Sequence, residues 1–539
     1  MKKISVLIAL VLALMLCASC ALADSVLGAD IDVAGKLVIL HTNDVHGRAV
    51  QTDDVLGYAT VAALRNTLVE EGAVVILLDA GDASQGMPIV NMSTGLQAID
   101  FMNAVGYDAM VLGNHEFDWG SENTMVLVEH AEFPVLGANI ISRATGEPLL
   151  NECIFFELED GTRIGVVGLD TPEVATKTHP DKIRDIQVLM AEDMYACTQA
   201  QVDWLREQGC DMVILLCHLG VDDESAPNRS IDVVENVTGI DLCIDAHSHT
   251  VIEGGQVYGS TLITSTGCYL SNIGYVIVDE NGMTAGLYNG ENPVTDEDIA
   301  AFVNTVNDEV NAALGVPFAQ TEVLLNGDRA PGVRTMETNL GDFCADALLW
   351  QASQYVGDDV VAAVTNGGGI RASIQVGDIS MLDMKTVFPF GNTVVTIDVT
   401  GAELLEALEA STCSTPDAIG AFPQVAGMEI VIDTTVPFNA GELYPDSTYH
   451  QPVNPGERVT ILTIGGEAFD PERIYRIATN DFMAAGGDTY YVFSYAGNTA
   501  KIDTGIALED ALVNYTAEVL NGVVTAEAYG DAMGRITIK

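Results

Sequence analysis

From Leu37 to about Asp279 the chain alternates between amphipathic stretches that stop at glycine and continuous apolar runs that end in polar residues. "TVAALRNTLVEEG" places its apolar residues at helical spacing and stops at Gly72, and "AVVILLDAGD" follows as an uninterrupted apolar run. "QAQVDWLREQG" stops at Gly209, and "CDMVILLCHLG" repeats the arrangement. Continuous apolar runs of this length read as strands covered on both faces, and their alternation with helices predicts an α/β layered domain. A further helix is predicted between Thr295 and Gly315. Thr295 is its expected cap, Asp296, Glu297 and Asp298 suit its positive end, and Ile299, Phe302, Val303, Val306 and Val310 form one apolar stripe. Beyond Val316, strand-like and helical segments mix with Gly and Pro turns, which predicts a second, α+β domain.

The first residues read differently. Lys2 and Lys3 precede "ISVLIALVLALMLCA", and Ala21-Leu22-Ala23 precede Asp24, the plan of a signal peptide over residues 1–23. The run is short for a membrane span of about 20 residues, so a mature chain without a transmembrane segment, secreted, periplasmic or held in the cell envelope, is expected. Ala18-Ser19-Cys20 offers an alternative, a lipid anchor at Cys20. Composition then narrows the partners. The chain has 539 residues, enough for two domains, with 77 acidic against 22 basic side chains and a net charge of −55. That balance argues against a nucleic acid polymer or an anionic membrane as partner, since both need a basic surface. Small anionic substrates remain compatible if the site supplies its own positive charge. Of the other cysteines, Cys217 and Cys243 lie in apolar runs and read as buried thiols.

Candidate chemistry sits where the apolar runs end. "KLVILHTNDVHG" brings Asp44 and His46, "VVILLDAGDASQG" Asp82, "AMVLGNHEFD" Asn114, His115 and Asp118, "MVILLCHLG" His218, and "DLCIDAHSHT" His247 and His249. Taken singly, each is an ordinary polar residue after a buried strand. In a layered α/β sheet, however, loops at the carboxyl ends of strands gather along one edge, where ligands bind. Together they supply the N and O donors that two divalent cations about 3.5–4 Å apart require, with one carboxylate shared.

"HTNDVHG", "GDASQG", "GNHEFD", "CHLG" and "AHSHT" resemble the ordered signature of calcineurin-like metallophosphoesterases, in the secreted bacterial 5'-nucleotidase branch. The resemblance implies a β-sandwich flanked by helices, joined by a helix to a C-terminal α+β domain. It implies that Asp44, His46, Asp82 and His249 hold one metal, and that Asp82, Asn114, His218 and His247 hold the other. His249 departs from some bacterial relatives, which carry Gln there. The donor mix suits Zn, Mn or Co without choosing among them. By the same resemblance His115 stabilises the phosphoryl charge and protonates the leaving oxygen, with Asp118 orienting its ring. Water activated by the two metals attacks, and no phosphoenzyme is needed.

The second domain is expected to select the ester. "TNGGGIRASI" places Asn366, Gly368 and Arg371 together, and it lacks the Gly-Lys-Ser/Thr ending of a Walker loop. "GVRTMETNLGD" adds Arg334, "FPFGN" adds Phe390 and Asn392, and "AAGGDTYYVF" adds Tyr490. These resemble the family's nucleotide pocket, in which two rings, here Phe390 and Tyr490, sandwich the base and arginines hold the phosphate end. Arg329 is a further phosphate-binding candidate, one residue farther from Arg334 than the family spacing. The ribose-gripping Asp expected after the second ring is absent from "VFSYAGNTA".

The sequence therefore reads as a signal peptide (1–23), a metallophosphoesterase domain (36–290), a linking helix (295–315) and a nucleotide-binding domain (316–539). The expected activity is a metal-dependent 5'-nucleotidase. UDP-sugar hydrolysis or 2',3'-cyclic-nucleotide phosphodiesterase activity in the same site is the nearest alternative. A non-catalytic nucleotide or metal binder and a related sulfur-oxidation hydrolase are the rivals from other classes. Oligomeric state is left open.

Overall fold

The apolar run after Gly72 forms the strand Val74–Asp79, and the amphipathic stretch before it forms the helix Gly57–Glu70. Gly72 adopts a left-handed φ of 93°, which lets the chain turn from helix to strand. The second repeat behaves alike, as helix Ala191–Glu207 and strand Met212–His218. The computed structural model describes residues 25–28, 31–291, 294–357, 359–495 and 501–539. The expected leader, with Cys17 and Cys20, lies outside these residues. The chain divides into two units: the first runs to Val174 and resumes over Lys182–Asp308, and the second comprises Ala175–Asp181 and Glu309–Lys539. Residues 175–181 thus group with the second unit, although the sequence pattern assigns them to the first.

The first unit is a sandwich of two six-stranded sheets. One is ordered Gly282–Tyr288, Ile273–Asp279, Leu37–Thr42, Val74–Asp79, Ala109–Val111, Val135–Leu136. The other is ordered Gln256–Tyr258, Thr261–Thr264, Leu242–Ile244, Met212–His218, Arg163–Asp170, Cys153–Glu157. Their central strands run parallel, so their carboxyl ends point the same way within each sheet. Ile39, Ile76 and Leu78 of one sheet pack against Val166, Ile214 and Leu216 of the other. The alternate residues Val167, Val213 and Leu215 face outward against Val202 and Leu205 of the helix Ala191–Glu207. Burial on both faces is why these strands read as unbroken apolar runs rather than as alternation.

In the second unit a five-stranded sheet is ordered Pro423–Ala426, Val360–Asn366, Ile474–Asn480, Thr393–Thr400, Ile502–Ala507. The helix Asn339–Val356, capped by the Thr338 side chain, packs on one face through Leu340, Phe343 and Leu348. The helix Gly401–Ala410 packs on the other through Leu404 and Leu408. This is the expected α+β organisation.

The helix expected between Thr295 and Gly315 spans Glu297–Leu314, and the unit boundary falls inside it. Its cap differs from the expectation. Asp296 Oδ1 accepts the N–H groups of Asp298 and Ile299, each at 3.1 Å, while the Thr295 hydroxyl donates to Gln51 Oε1. A carboxylate at the positive end of a helix gains charge as well as a hydrogen bond, which favours Asp over Thr there. No helix among the described residues is long and apolar enough to cross a membrane. The eight described cysteines are free thiols, with Cys217 and Cys243 buried.

Ile214 is fully buried at the centre of the sandwich. Ile214→Ala should destabilise the first unit by about 2–5 kcal/mol, read as an earlier midpoint in urea unfolding followed by tryptophan fluorescence.

Candidate functional site

Each loop that carries expected metal ligands follows a strand, and five of those ligands sit in left-handed backbone. Asp44 has φ 48°, His46 47°, Asp82 58°, His247 70° and His249 59°. A non-glycine residue there costs roughly 1–2 kcal/mol, so neighbouring contacts must hold it. They do. The Asp44 N–H donates to the Gly81 carbonyl and the His46 N–H to the Asp82 carbonyl, both at 2.9 Å. The His247 N–H donates to Asp44 Oδ2 at 3.0 Å, and the Tyr269 N–H to the Asp44 carbonyl at 2.8 Å. The loops are thus fastened to one another and not only to their own strands.

The ligand atoms converge. Asp44, His46 and His249 form one group whose ligand atoms lie within 4.8 Å of one another, and Asp82, His218 and His247 form another. Asp82 also groups with His46 and His115, which places its carboxylate between the two sets. His249 Nε2 lies 3.3 Å from Asp44 Oδ1 and 3.3 Å from His46 Nε2, and His218 Nε2 lies 3.1 Å from Asp82 Oδ2. Asn114 is buried at the start of the turn Asn114–Phe117, beside His115.

Tautomers follow from the outer partners. His218 Nδ1 faces the Ala80 carbonyl at 2.7 Å, and His46 Nδ1 faces the Gln85 carbonyl at 3.0 Å. A carbonyl only accepts, so both rings carry a proton on Nδ1 and present Nε2 inward. His247 instead turns Nε2 to the Glu173 carboxylate at 2.8 Å, which leaves Nδ1 for a ligand.

Electrostatics point the same way. Burial pushes the Asp82 carboxyl up, but His218 and His115 outweigh it and hold it well below the usual carboxylate range. Asp44 is likewise lowered, burial being outweighed by His249 and His218. Burial disfavours a charged His218, yet Asp82 and Asp44 raise it well above an ordinary imidazole. Asp44 Oδ1 and His218 Nε2 are buried and make no hydrogen bond. Buried polar atoms without a well-aligned hydrogen bond are costly unless a cation meets them. The donor set of carboxylate, amide and imidazole therefore fits divalent metals, whose binding displaces protons from the rings. Space is fitted as tightly: a Cβ on Gly113 would lie 2.4 Å from Asp82 Oδ1 and 2.7 Å from His218 Cε1.

The His115–Asp118 pair stands beside this cluster. His115 Nδ1 donates to Asp118 Oδ2 at 2.7 Å, and its ring centroid lies 5.1 Å from that of His46. Lys182 Nζ donates to the Asp118 carbonyl at 2.6 Å and steadies the turn that carries the acid.

The expected substrate residues of the second unit behave less uniformly. The Arg371 guanidinium lies 5.6 Å over the Phe390 ring, and Arg334 and Phe390 are both half-buried. The Gly368 N–H donates to the Gly420 carbonyl at 2.7 Å, and Asn392 is buried, its carbonyl accepting from the Leu508 N–H. Arg329 opens the five-residue turn Arg329–Val333 and Arg334 follows it, the Arg334 N–H reaching the Arg329 carbonyl. One expectation is corrected. Tyr490 is fully buried against Phe493 with its hydroxyl donating to the Ala421 carbonyl at 2.7 Å, so its ring belongs to the core and is not displayed beside Phe390. A buried phenol needs an acceptor, and that carbonyl supplies it. Asn366 is also buried, donating to Asp488 Oδ2 at 2.8 Å and accepting from Asn480 at 3.1 Å.

Sequence reasoning passed over three carboxylates that hold the ligand loops. Glu173 faces His247. Asp245 Oδ1 accepts the N–H groups of Leu219 and Gly220, just after His218. Glu116 accepts four backbone N–H groups around Asp82 and Gly113. Glu116 lies inside "GNHEFD"; its bond to the Gly113 N–H is local, but its other three partners, at residues 82–84, are more than thirty residues away and no local signal marks them.

Comparison with known proteins follows the same division. The calcineurin-like phosphoesterase model matches residues 37–251, and the 5'-nucleotidase C-terminal domain model matches 317–495. The trifunctional nucleotide phosphoesterase protein YfkN of Bacillus subtilis is 33% identical over 86% of this chain, which spans about a third (32%) of that relative. Protein UshA of Escherichia coli is 28% identical, the match covering 87% of this chain and 88% of UshA. The crystal structure of a 5'-nucleotidase precursor from Thermus thermophilus superposes with a TM-score of 0.77 at 28% identity, covering 93% of this chain and 99% of that one. With both domain models in order and a metal-binding cluster of the matching kind, the chain belongs to the 5'-nucleotidase family of calcineurin-like metallophosphoesterases, hydrolases that use two divalent metal ions.

Proposed function

We propose that this chain hydrolyses nucleoside 5'-monophosphates to nucleoside and inorganic phosphate. The observation that carries the reading is the His115–Asp118 pair set against the cluster of Asp44, Asp82 and four imidazoles. Asp44, His46, Asp82 and His249 would hold one cation, and Asp82, Asn114, His218 and His247 the other. Bound there, the two cations supply Lewis acidity toward the phosphoryl oxygens and lower the pKa of an attacking water.

The chain's own residues do the rest. Asp118 fixes the His115 tautomer and favours its protonated form, so Nε2 faces the substrate as a donor. As water bonds to phosphorus and the P–O ester bond breaks, the leaving 5'-oxygen takes the Nε2 proton, and solvent restores it. Arg334 and Arg371 supply the local positive charge that the acidic chain lacks, in the forked geometry that phosphate accepts. Phe390 offers the ring on which a base stacks. Tyr490 is not assigned to the base. An exported enzyme is the reading that the leader-like run after Lys3 supports.

Phosphate release across a panel of nucleoside mono-, di- and triphosphates, UDP-glucose and 2',3'-cyclic nucleotides, with Mn, Co or Zn added and a chelator control, tests the proposal. AMP-class substrates should lead, and chelation should abolish release; no metal-dependent release from any nucleotide would overturn it. His115→Ala should keep both metals yet lower kcat by about 10²–10⁴, measured as turnover beside metal content. Phe390→Ala should raise KM for AMP by roughly 5- to 150-fold and leave KM for a small aryl phosphate nearly unchanged. An equal rise for both would remove the stacking role.

A further inference from the structure

Glu116 is fully buried, and each of its carboxylate oxygens accepts two backbone N–H groups. Oε2 takes those of Gly113 at 2.8 Å and Asp82 at 2.9 Å, and Oε1 takes those of Ala83 and Ser84, both at 2.9 Å. A carboxylate has about four acceptor sites, and here all four are filled by donors. Burial raises this carboxyl above its ordinary range, with Asp82 adding to the rise, while the N–H groups of Ser84, Gly113 and Asp82 favour the anion. The residues so gripped are not arbitrary. Asp82 is the carboxylate between the two ligand groups, and Gly113 immediately precedes Asn114 and His115.

From these contacts we infer that Glu116 is a positioning residue for the metal centre: one buried carboxylate sets both the Asp82 loop and the Asn114–His115 turn. The inference rests on the metal ligation proposed above and assigns Glu116 no contact with metal or substrate. Its own turn is anchored independently, since the Thr124 hydroxyl donates to the Glu116 carbonyl at 2.8 Å. From that anchor the side chain reaches across to residues 82–84 and holds Asp82 at its left-handed φ of 58°. The result is legible at the carboxylate. Asp82 Oδ1 accepts the His115 N–H at 2.9 Å, and Oδ2 is left aimed at His218 and His46, 3.1 and 3.7 Å away. Rotating the Asp82 backbone would misdirect Oδ2 and draw Asn114 and His115 with it.

An amide of the same shape cannot replace this group. It keeps one oxygen, and its NH₂ would point two donors at two N–H groups. Glu116→Gln should therefore weaken binding of the second Mn²⁺ by about 10- to 100-fold at 25 °C, read by calorimetry. The spin-coupled two-manganese signal in electron paramagnetic resonance should give way to the spectrum of isolated Mn²⁺. Turnover should fall with KM little changed, and excess Mn²⁺ should recover part of it. A role in the fold alone would instead lower the melting temperature of the chelated protein while leaving Mn²⁺ affinity of the folded protein at the wild-type value. That outcome overturns the inference. If Glu116→Gln does not fold, Glu116→Asp keeps the charge but withdraws it by one methylene. It should show the same loss of the second Mn²⁺ in weaker form, and wild-type affinity would again overturn the assignment. Because metal binding is the readout, a wild type that binds two Mn²⁺ but hydrolyses no nucleotide would defeat the proposed function and leave this inference standing.

Discussion

Two carboxylates buried among imidazoles, with little water to screen them, must be matched by positive charge. Asp44 and Asp82 impose that demand, and the rest of the first unit is arranged around it. Histidine nitrogens crowd within about 3–4 Å of them, and the outer nitrogens of His46, His218 and His247 are committed to carbonyls or to Glu173. Protons on the rings meet the demand in part, but divalent ions meet it with the right geometry. Chemistry at phosphorus is then a use of charge that the fold already requires.

Such a cluster is held by loops, and loops are ordinarily the soft part of a fold. Here they are stiffened by a division of labour. Parallel strands in both sheets bring the loops to the strand ends, the Val, Ile and Leu core fixes the strands, and buried acids fasten the loops through main-chain N–H groups. Glu116 ties the second and third strand ends together, and Asp245 ties the His218 loop, with its other oxygen accepting from Ser230 at 2.5 Å. Charge-assisted bonds to backbone are stronger than neutral ones and, once buried, resist exchange with water. The loops that carry the ligand residues are thus held by anions outside the ligand set.

The periodicity of the sequence made the layered fold and its strand ends legible, because strands buried on both faces cannot hide their apolar runs. Spacing also exposed the ligand-type residues at those ends. What it could not expose was any choice settled by contacts distant in the chain. Asp296 rather than Thr295 caps its helix, a preference between two adjacent capping residues that only the geometry resolves. Tyr490 looks like a binding residue because of its neighbours, yet a core carbonyl claims its hydroxyl. Residues 175–181 group with the second unit with no composition shift to mark the exchange.

The left-handed loop positions carry a final implication, for how far this centre can be retargeted. Aspartate and histidine are among the few non-glycine residues that tolerate such backbone, and they are also good donors to borderline cations. Cysteine and glutamate bind metals too, but lack that tolerance. A thiolate set suited to soft, thiophilic ions would have to overcome both the backbone and the packing at Gly113. Main-chain conformation therefore adds to the cost of moving this scaffold toward thiolate ligation, before affinity is ever tested.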